Sequence, residues 1–241
     1  MSSRLTGALL AAGLFVVACQ AEERLTPARV LAAIEKGCAK KDAGLMVPYL
    51  DAEYEDDIGG PGHLEDDLRQ LFVVYGPLVV KHEDVLVRPD GITAHLVVEG
   101  KGLRYSGPQR LKLSKTAAGP VIGSGVFLEL RGIIETLRQR RIALEDNAPQ
   151  RLARLISAEY KGKVGGKAAL MERLRDDLTA VSMQALIVND LDIEVGGNRA
   201  RVIQSFLLIT RAEGKKIENR ARERIMLQKE GSLWRIIGGL G

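Results

Sequence analysis

Asp51-Ala-Glu-Tyr-Glu-Asp-Asp-Ile-Gly-Gly60 and Ser157-Ala-Glu-Tyr-Lys-Gly-Lys-Val-Gly-Gly166 share five of their ten residues at a spacing of 106. The same spacing aligns positions 31–96 with 137–202 without a gap, and 12 of these 66 positions are identical. Similarity at one fixed offset indicates a repeated unit. A unit of about 100 residues is large enough to be a domain. We therefore expect two diverged copies of one domain, residues 28–128 and 129–241.

Each copy changes from helical spacing to strand alternation along its length. In copy one, Val30, Ile34 and Cys38 fall on one helix face, whereas Ala94, Leu96 and later apolar residues alternate as in a strand. Glycine-containing turns separate the alternating runs, which is typical of hairpins. The spacing predicts first helices over 28–40 and 133–145, second helices near 43–50 and 149–156, and third helices over 64–75 and 170–181. It predicts closing strands over 110–115, 121–127, 222–229 and 233–237.

This order predicts an α+β fold of two tandem cone-shaped domains, each with three helices packed on a curved antiparallel sheet. The order resembles that of the nuclear transport factor 2-like superfamily, also called SnoaL-like or cystatin-like. The resemblance is carried by the Ala-Glu-Tyr to Gly-Gly blocks, by the strands of Asp84 and Asp190, and by the closing strand around Trp234. Copy one departs from the pattern, because Pro120-Val121-Ile122 stands where copy two has its tryptophan.

The N-terminus has the pattern of an export signal. Arg4 precedes an apolar run that ends in Val16-Val17-Ala18-Cys19. These four residues resemble the lipobox of bacterial lipoproteins, which implies cleavage after residue 18 and attachment of a diacylglyceryl group and further acyl chains such as palmitate at Cys19. Residues 1–18 would then be the signal peptide and 19–27 a lipidated tether. The alternative is an ordinary signal peptide with a chance cysteine.

The lipobox resemblance implies that the protein is located in the bacterial cell envelope, on the periplasmic face of a membrane. Two or three acyl chains anchor a protein stably, whereas one is marginal. Gln20 follows the cysteine, and by resemblance to enterobacterial lipoproteins it indicates the outer membrane. Cys38 is the only other cysteine. With Cys19 lipidated, we expect no internal disulfide and a buried Cys38.

The family resemblance implies a pocket at the mouth of the cone, often for an apolar small molecule. Tyr54, Tyr160 and Trp234 are the candidate lining residues, although each also fits a core position. Ketosteroid-isomerase-like members carry a tyrosine donor on the first helix, and residues 28–40 and 133–145 contain neither tyrosine nor histidine. We therefore predict no catalytic residue.

No metal or cofactor site is predicted. His63, His82 and His95 lack metal-ligand spacing, although His82 and His95 could face each other across a hairpin. The acidic groups 55–57 and 65–67 lack the frame of a calcium loop. The Gly-Gly pairs lack a phosphate-binding context.

The charge differs between the halves. Residues 20–128 hold 13 Lys/Arg against 16 Asp/Glu, and residues 129–241 hold 21 against 15. Opposite charge could favour contact between the copies or approach to anionic headgroups, or the two surfaces could simply have diverged. The arginine-rich stretch 131–154 has no interleaved aromatics, so we expect no nucleic-acid partner.

Three functional hypotheses remain. The first is a non-enzymatic, lipid-anchored binding protein that holds a hydrophobic small molecule or a protein partner. The second is an isomerase, dehydratase or cyclase with one active copy. The third is a purely structural spacer on a membrane, with the sheets of the two copies packed on each other. In each case we expect the two copies to form an internal pseudo-dimer.

Overall fold

The computed structural model describes residues 25–180, 182–212 and 215–240. The predicted signal peptide 1–18, Cys19 and Gln20 lie outside these residues. Among the described helices, none combines the length and the hydropathy needed to cross a membrane.

Helices followed by four strands of the large sheet occur twice along the chain, and the predicted α+β fold is confirmed. The first set is α1 (Pro27–Lys40), two 3-10 turns (Ala43–Leu45 and Val47–Tyr49), α2 (Pro61–Tyr75), β1 (Val79–Arg88), β2 (Gly91–Gly100), β3 (Leu103–Thr116) and β4 (Gly119–Ser124). The second set is α3 (Leu128–Glu145), α4 (Pro149–Leu155), β5 (Lys161–Gly162), β6 (Gly165–Gly166), α5 (Lys167–Ala180), β7 (Ser182–Gly196), β8 (Arg199–Ala212), β9 (Lys215–Glu230) and β10 (Leu233–Gly238). We call the two sets copy one and copy two.

Helix α1 shows how local sequence sets these elements. The Thr26 side chain accepts a hydrogen bond from the amide of Arg29, and Pro27 occupies the first turn, where its missing N–H costs nothing. The buried face of α1 includes Cys38, and burial raises the pKa of the Cys38 thiol to about 12. The core position predicted for Cys38 is therefore correct. The second helix predicted near 43–50 is instead two 3-10 turns, because Pro48 cannot donate a helical hydrogen bond.

A single eight-stranded sheet runs through both copies. Its order is β1-β2-β3-β7-β8-β9-β10, and β4 pairs with β3. All of its pairs are antiparallel except β3 with β7, which run parallel from Leu103 opposite Leu191 to Ser106 opposite Glu194. Strand β3 thus has two partners along one edge, β7 at its beginning and β4 near its end. The two copies are therefore joined through β3, the third strand of copy one, and β7, the first strand that copy two contributes to this sheet. These two strands are not equivalent in the repeat.

The repeated sequence block ties the helical part of each copy to its last strand. Leu50 forms a parallel bridge with Ile122, and Ile156 forms the same bridge with Ile236. The next residue in each copy donates its amide to the carbonyl of that isoleucine, at 2.8 Å and 2.9 Å. The 106-residue offset between 50 and 156 is therefore a structural equivalence.

The gapless offset ends at the first hairpin. Arg88 pairs with Gly91 across the turn between β1 and β2, whereas Gly196 pairs with Arg199 between β7 and β8. Equivalent turn residues are therefore 108 apart. Asp84 lies in a bulge of β1, with a φ of 50°, and Asp190 pairs with Ser205. These two aspartates are both exposed, but they do not occupy equivalent sites.

The connection between the copies is buried. After β4, Gly125 adopts a φ of 96°, Val126 is fully buried, and Phe127 enters α3 with a φ of 50°. A left-handed backbone at a bulky residue is unfavourable by itself, so surrounding contacts must hold it. The two copies are consequently joined by a packed segment.

Arg131, on the first turn of α3, provides the strongest of these contacts. Its side chain is 1% exposed; Nη1 lies 2.7 Å from Oδ2 of Asp56, and Nε lies 2.7 Å from Oδ2 of Asp67. Nη1 also donates to the carbonyl of Val126 at 3.3 Å. Both carboxylates belong to copy one and the guanidinium to copy two, so this buried cluster fixes α3 against the first copy.

Asp56 is held in its charged form by its neighbours. Burial works against ionisation, but the Tyr54 hydroxyl, the Arg131 guanidinium and the Ile58 amide outweigh it and keep the pKa of Asp56 below its ordinary value. Removal of Arg131 would leave a buried carboxylate without its counter-ion.

We expect Arg131→Met to lower the free energy of unfolding by about 3 to 5 kcal/mol, because breaking a buried ion pair leaves an uncompensated charge. Arg151→Met is the matched control, since Arg151 pairs with Asp146 at the surface and should cost about 0 to 1 kcal/mol. Urea unfolding measures both. Equal losses in the two variants would contradict a structural role for the Arg131 cluster.

Candidate functional site

The two repeated tyrosines have the same structural task. The hydroxyl of Tyr54 accepts from the amide of Val126 at 3.3 Å, and that of Tyr160 accepts from the amide of Leu240 at 3.2 Å. Each amide belongs to the segment just after the last strand of its copy. Tyr54 donates in turn to Asp56, and Tyr160 donates to the carbonyl of Leu240. Both rings are 2% exposed.

Trp234 is also buried, at 3% exposure. Its Nε1 donates to Oε2 of Glu129 at 3.0 Å, and the other oxygen of Glu129 accepts from Nζ of Lys229. The indole therefore connects β10 to α3. Tyr54, Tyr160 and Trp234 do not line the cleft described below, and each has its polar atom paired.

The histidines and the acidic groups do not form a metal site among the described residues, which contain no cluster of three or more His, Cys, Asp or Glu able to hold an ion. His82 is opposite Leu96 and His95 is opposite Glu83, so the two imidazoles project from opposite faces of the sheet. His82 contacts Glu35, and His95 contacts Ser106.

A cleft of about 450 Å³ lies between the two copies, bounded by α2, α3, β7 and β8. Its apolar lining residues are Leu71, Val73, Val74, Tyr75, Ile134, Leu137, Ile187, Val188 and Leu191. Its polar lining residues are Asp67, Arg69, Gln70, Arg131, Glu135, Arg138, Arg141 and Gln204. The volume falls in the range usual for small-molecule sites, about 300 to 1,000 Å³.

Helix α2 supplies one wall because it is apolar on two faces. Leu64, Leu68 and Phe72 enter the core of copy one, whereas Val73 and Val74 are 85% and 61% exposed. Ile187, across the cleft on β7, is 46% exposed. Neighbouring exposed aliphatic side chains around a concave surface are typical of a binding site.

Half of the eight polar residues of the cleft pair with one another. Arg138 makes a fork of 2.6 Å and 2.8 Å onto Glu135, and Asp67 is held by Arg131. Burial raises the pKa of Tyr75, although the charge of Arg141 acts in the opposite direction, so the phenol remains a hydrogen-bond donor at neutral pH. The Nη2 atom of Arg131 is buried and has no partner among the described residues.

Sequence reasoning did not identify this cleft or Arg131. One signal was present: the acidic residues around Asp56 are replaced in copy two by Lys161-Gly162-Lys163. A charged group that occurs in only one copy is not needed for the fold that the copies share. Here Asp56 serves the contact with Arg131 between the copies.

Known proteins show low similarity to this chain. No protein-family model matches the chain, and no curated protein matches it. A structure of a protein of unknown function from Mycobacterium tuberculosis is 16% identical, with a TM-score of 0.43, over 47% of this chain and 75% of that one. A nuclear transport factor 2-like protein with a cystatin-like fold from Novosphingobium aromaticivorans is 14% identical, with a TM-score of 0.40, over 46% of this chain and 78% of that one.

Each similarity extends over less than half of this chain. The cleft, in contrast, needs α2 from copy one and α3 from copy two, so its chemistry has to be derived from the residues of this chain.

We expect Tyr160→Phe to lower the free energy of unfolding by about 1 to 3 kcal/mol, because the buried amide and carbonyl of Leu240 both lose their partner. Tyr49→Phe is the control: no described residue hydrogen-bonds to the Tyr49 hydroxyl, and the loss should stay within about 0.5 kcal/mol. Thermal or urea unfolding measures the difference. A Tyr160→Phe variant as stable as Tyr49→Phe would disprove the tyrosine's role in fixing the end of the last strand.

Proposed function

We propose that this chain is a non-enzymatic binding protein that holds an apolar small molecule in the cleft between its two copies. The observation that carries the proposal is the cleft itself, whose walls expose Val73, Val74 and Ile187. Aliphatic walls with a few polar groups at the margin are typical of small-molecule sites. The internal pseudo-dimer of the copies is part of this proposal, since neither copy forms the cleft alone.

The polar groups of the cleft favour binding over acid–base catalysis. A general acid or base must be free to exchange a proton with the substrate, whereas Asp67 and Glu135 are committed to arginines. Tyr75 follows Asp67 by eight residues on α2, about 12 Å along the helix axis, so the two cannot act on one reacting atom. An isomerase, dehydratase or cyclase activity receives no specific support from this arrangement.

We also propose that the protein is anchored by lipid at Cys19 and faces the periplasm from the outer membrane. The support is the sequence Val16-Val17-Ala18-Cys19 together with Gln20. The folded part of the chain is reached within a few residues of Gln20, because the amide of Leu25 donates to the carbonyl of Ala118 and Thr26 caps α1. A tether of a few residues would keep the cleft near the membrane surface, where apolar molecules are concentrated.

Val74→Asp should weaken binding of the neutral apolar dye Nile red at least about tenfold, because a carboxylate in the wall has to be desolvated when an apolar ligand enters. Val79→Asp is the matched control, since Val79 is 54% exposed on β1 and does not line the cleft. Dye fluorescence during titration gives the affinities, and thermal unfolding checks that both variants are folded. Equal dye affinity in the two variants would refute the cleft as the binding site.

Cys19→Ser should abolish labelling of the protein by a palmitate analogue and remove the protein from the outer-membrane fraction. The thiol is the group that receives the diacylglyceryl group, and without it neither cleavage before residue 19 nor acylation of the new amino end follows. Cys38→Ser serves as the control and should remain in the membrane fraction with its label, since that thiol is buried in the fold. An acylated, membrane-bound Cys19→Ser protein would exclude the proposed anchor without affecting the cleft.

A further inference from the structure

The cleft has two chemically different ends. Asp67 of α2 is bound to Arg131 of α3 at one end, and Tyr75 of α2 and Arg141 of α3 lie at the other. Ten residues separate the two arginines on α3, which corresponds to about 15 Å along the axis. Between these ends lie Leu71 and Val74 on α2 and Leu137 on α3, and the charged pair of Glu135 and Arg138 is the main polar feature. The shape suits an extended apolar chain.

The Asp67 end repels an anion. There one guanidinium, that of Arg131, faces two carboxylates, those of Asp56 and Asp67. Arg138 also acts on Asp67, but its charge is balanced by Glu135. A further negative group placed beside this cluster would therefore meet an excess of negative charge. The Asp67 end therefore suits the uncharged tail of a ligand.

The opposite end has donors in excess. The nearest carboxylate to Arg141 is that of Glu145, at 4.0 Å, which is the limit of an ion pair. The hydroxyl of Tyr75 has no acceptor among the described residues. Arg69 and Arg138, which also line the cleft, each have a carboxylate oxygen at 2.6 Å. Arg141 and Tyr75 thus present a cation and a phenol donor to the cleft without an acceptor between them.

We propose that the ligand is a long-chain carboxylate whose headgroup is bound by Arg141 and Tyr75 and whose chain extends along the cleft toward Asp67. This assignment rests on the binding function proposed above. Arginine offers a planar fork that matches a carboxylate, and the phenol adds a second donor. Charge complementarity selects the anion at this end, and the aliphatic walls select the chain.

The test compares decanoate with decanol, which has the same chain and no charge. The full chain with Cys19→Ser is titrated calorimetrically in detergent-free buffer, so that no acyl group of its own competes. Decanoate should bind about tenfold or more tightly than decanol, as expected of hydrogen bonds to a charged group. Arg141→Gln should remove this preference and leave the decanol affinity within about twofold, and Tyr75→Phe should reduce the preference in part.

Arg69→Gln is the control variant, because Arg69 lines the same cleft but already pairs with Glu65. It should keep the preference for decanoate. Equal affinities for decanoate and decanol, or a preference that survives Arg141→Gln, would overturn the proposed headgroup site while the cleft remained a binding site. Failure of both ligands and of Nile red to bind would instead overturn the proposed function, and this inference with it.

Discussion

The architecture depends on one buried guanidinium. Arg131 takes two carboxylates of copy one and a carbonyl of the connecting segment, which together determine where α3 begins and how it lies beside α2. Moving a full charge into a protein interior is so unfavourable that it is tolerated only with partners in place. The cluster therefore specifies one arrangement of the two copies, and the cleft between α2 and α3 is a result of that arrangement.

The sequence was sufficient for most of the fold. Helical and strand periodicities predicted the element order in both copies, and the repeated Ala-Glu-Tyr block predicted corresponding structures around Tyr54 and Tyr160. The reason is local: each tyrosine hydrogen-bonds to the segment after the last strand of its own copy, so the same residues meet the same structural requirement in both blocks. The 106-residue offset failed where the constraint is weaker, at a surface hairpin. There, a change of two residues preserves which side of the strand faces the core.

The candidate site could not be predicted in the same way. The sheet residues that line the cleft lie on β7 and β8. Strand β7 is placed next to copy one by its parallel pairing with β3, in which Leu103 lies opposite Leu191, 88 positions further along the chain. No periodicity within either copy encodes that pairing. The exposed Val73 and Val74 continue an otherwise ordinary amphipathic helix, so only the finished structure distinguishes them from core residues. For Trp234 and the repeated tyrosines, the family resemblance directed attention to the cone mouth, whereas their hydrogen bonds place them in the framework of the fold.

The parallel joint also has a consequence for biosynthesis. A nascent chain that has completed β3 presents Leu103 and Tyr105, both buried in the final molecule, on an unpaired edge until β7 has been made. At about 5 to 20 residues per second, the 80 residues from the end of β3 to the end of β7 take roughly 4 to 16 s. During that interval the edge is open to pairing with other chains, which is how strands aggregate. A chaperone that covers exposed strand edges would thus be needed most after copy one has been synthesised and before β7 is complete. A fragment that stops after copy one would carry the exposed edge permanently.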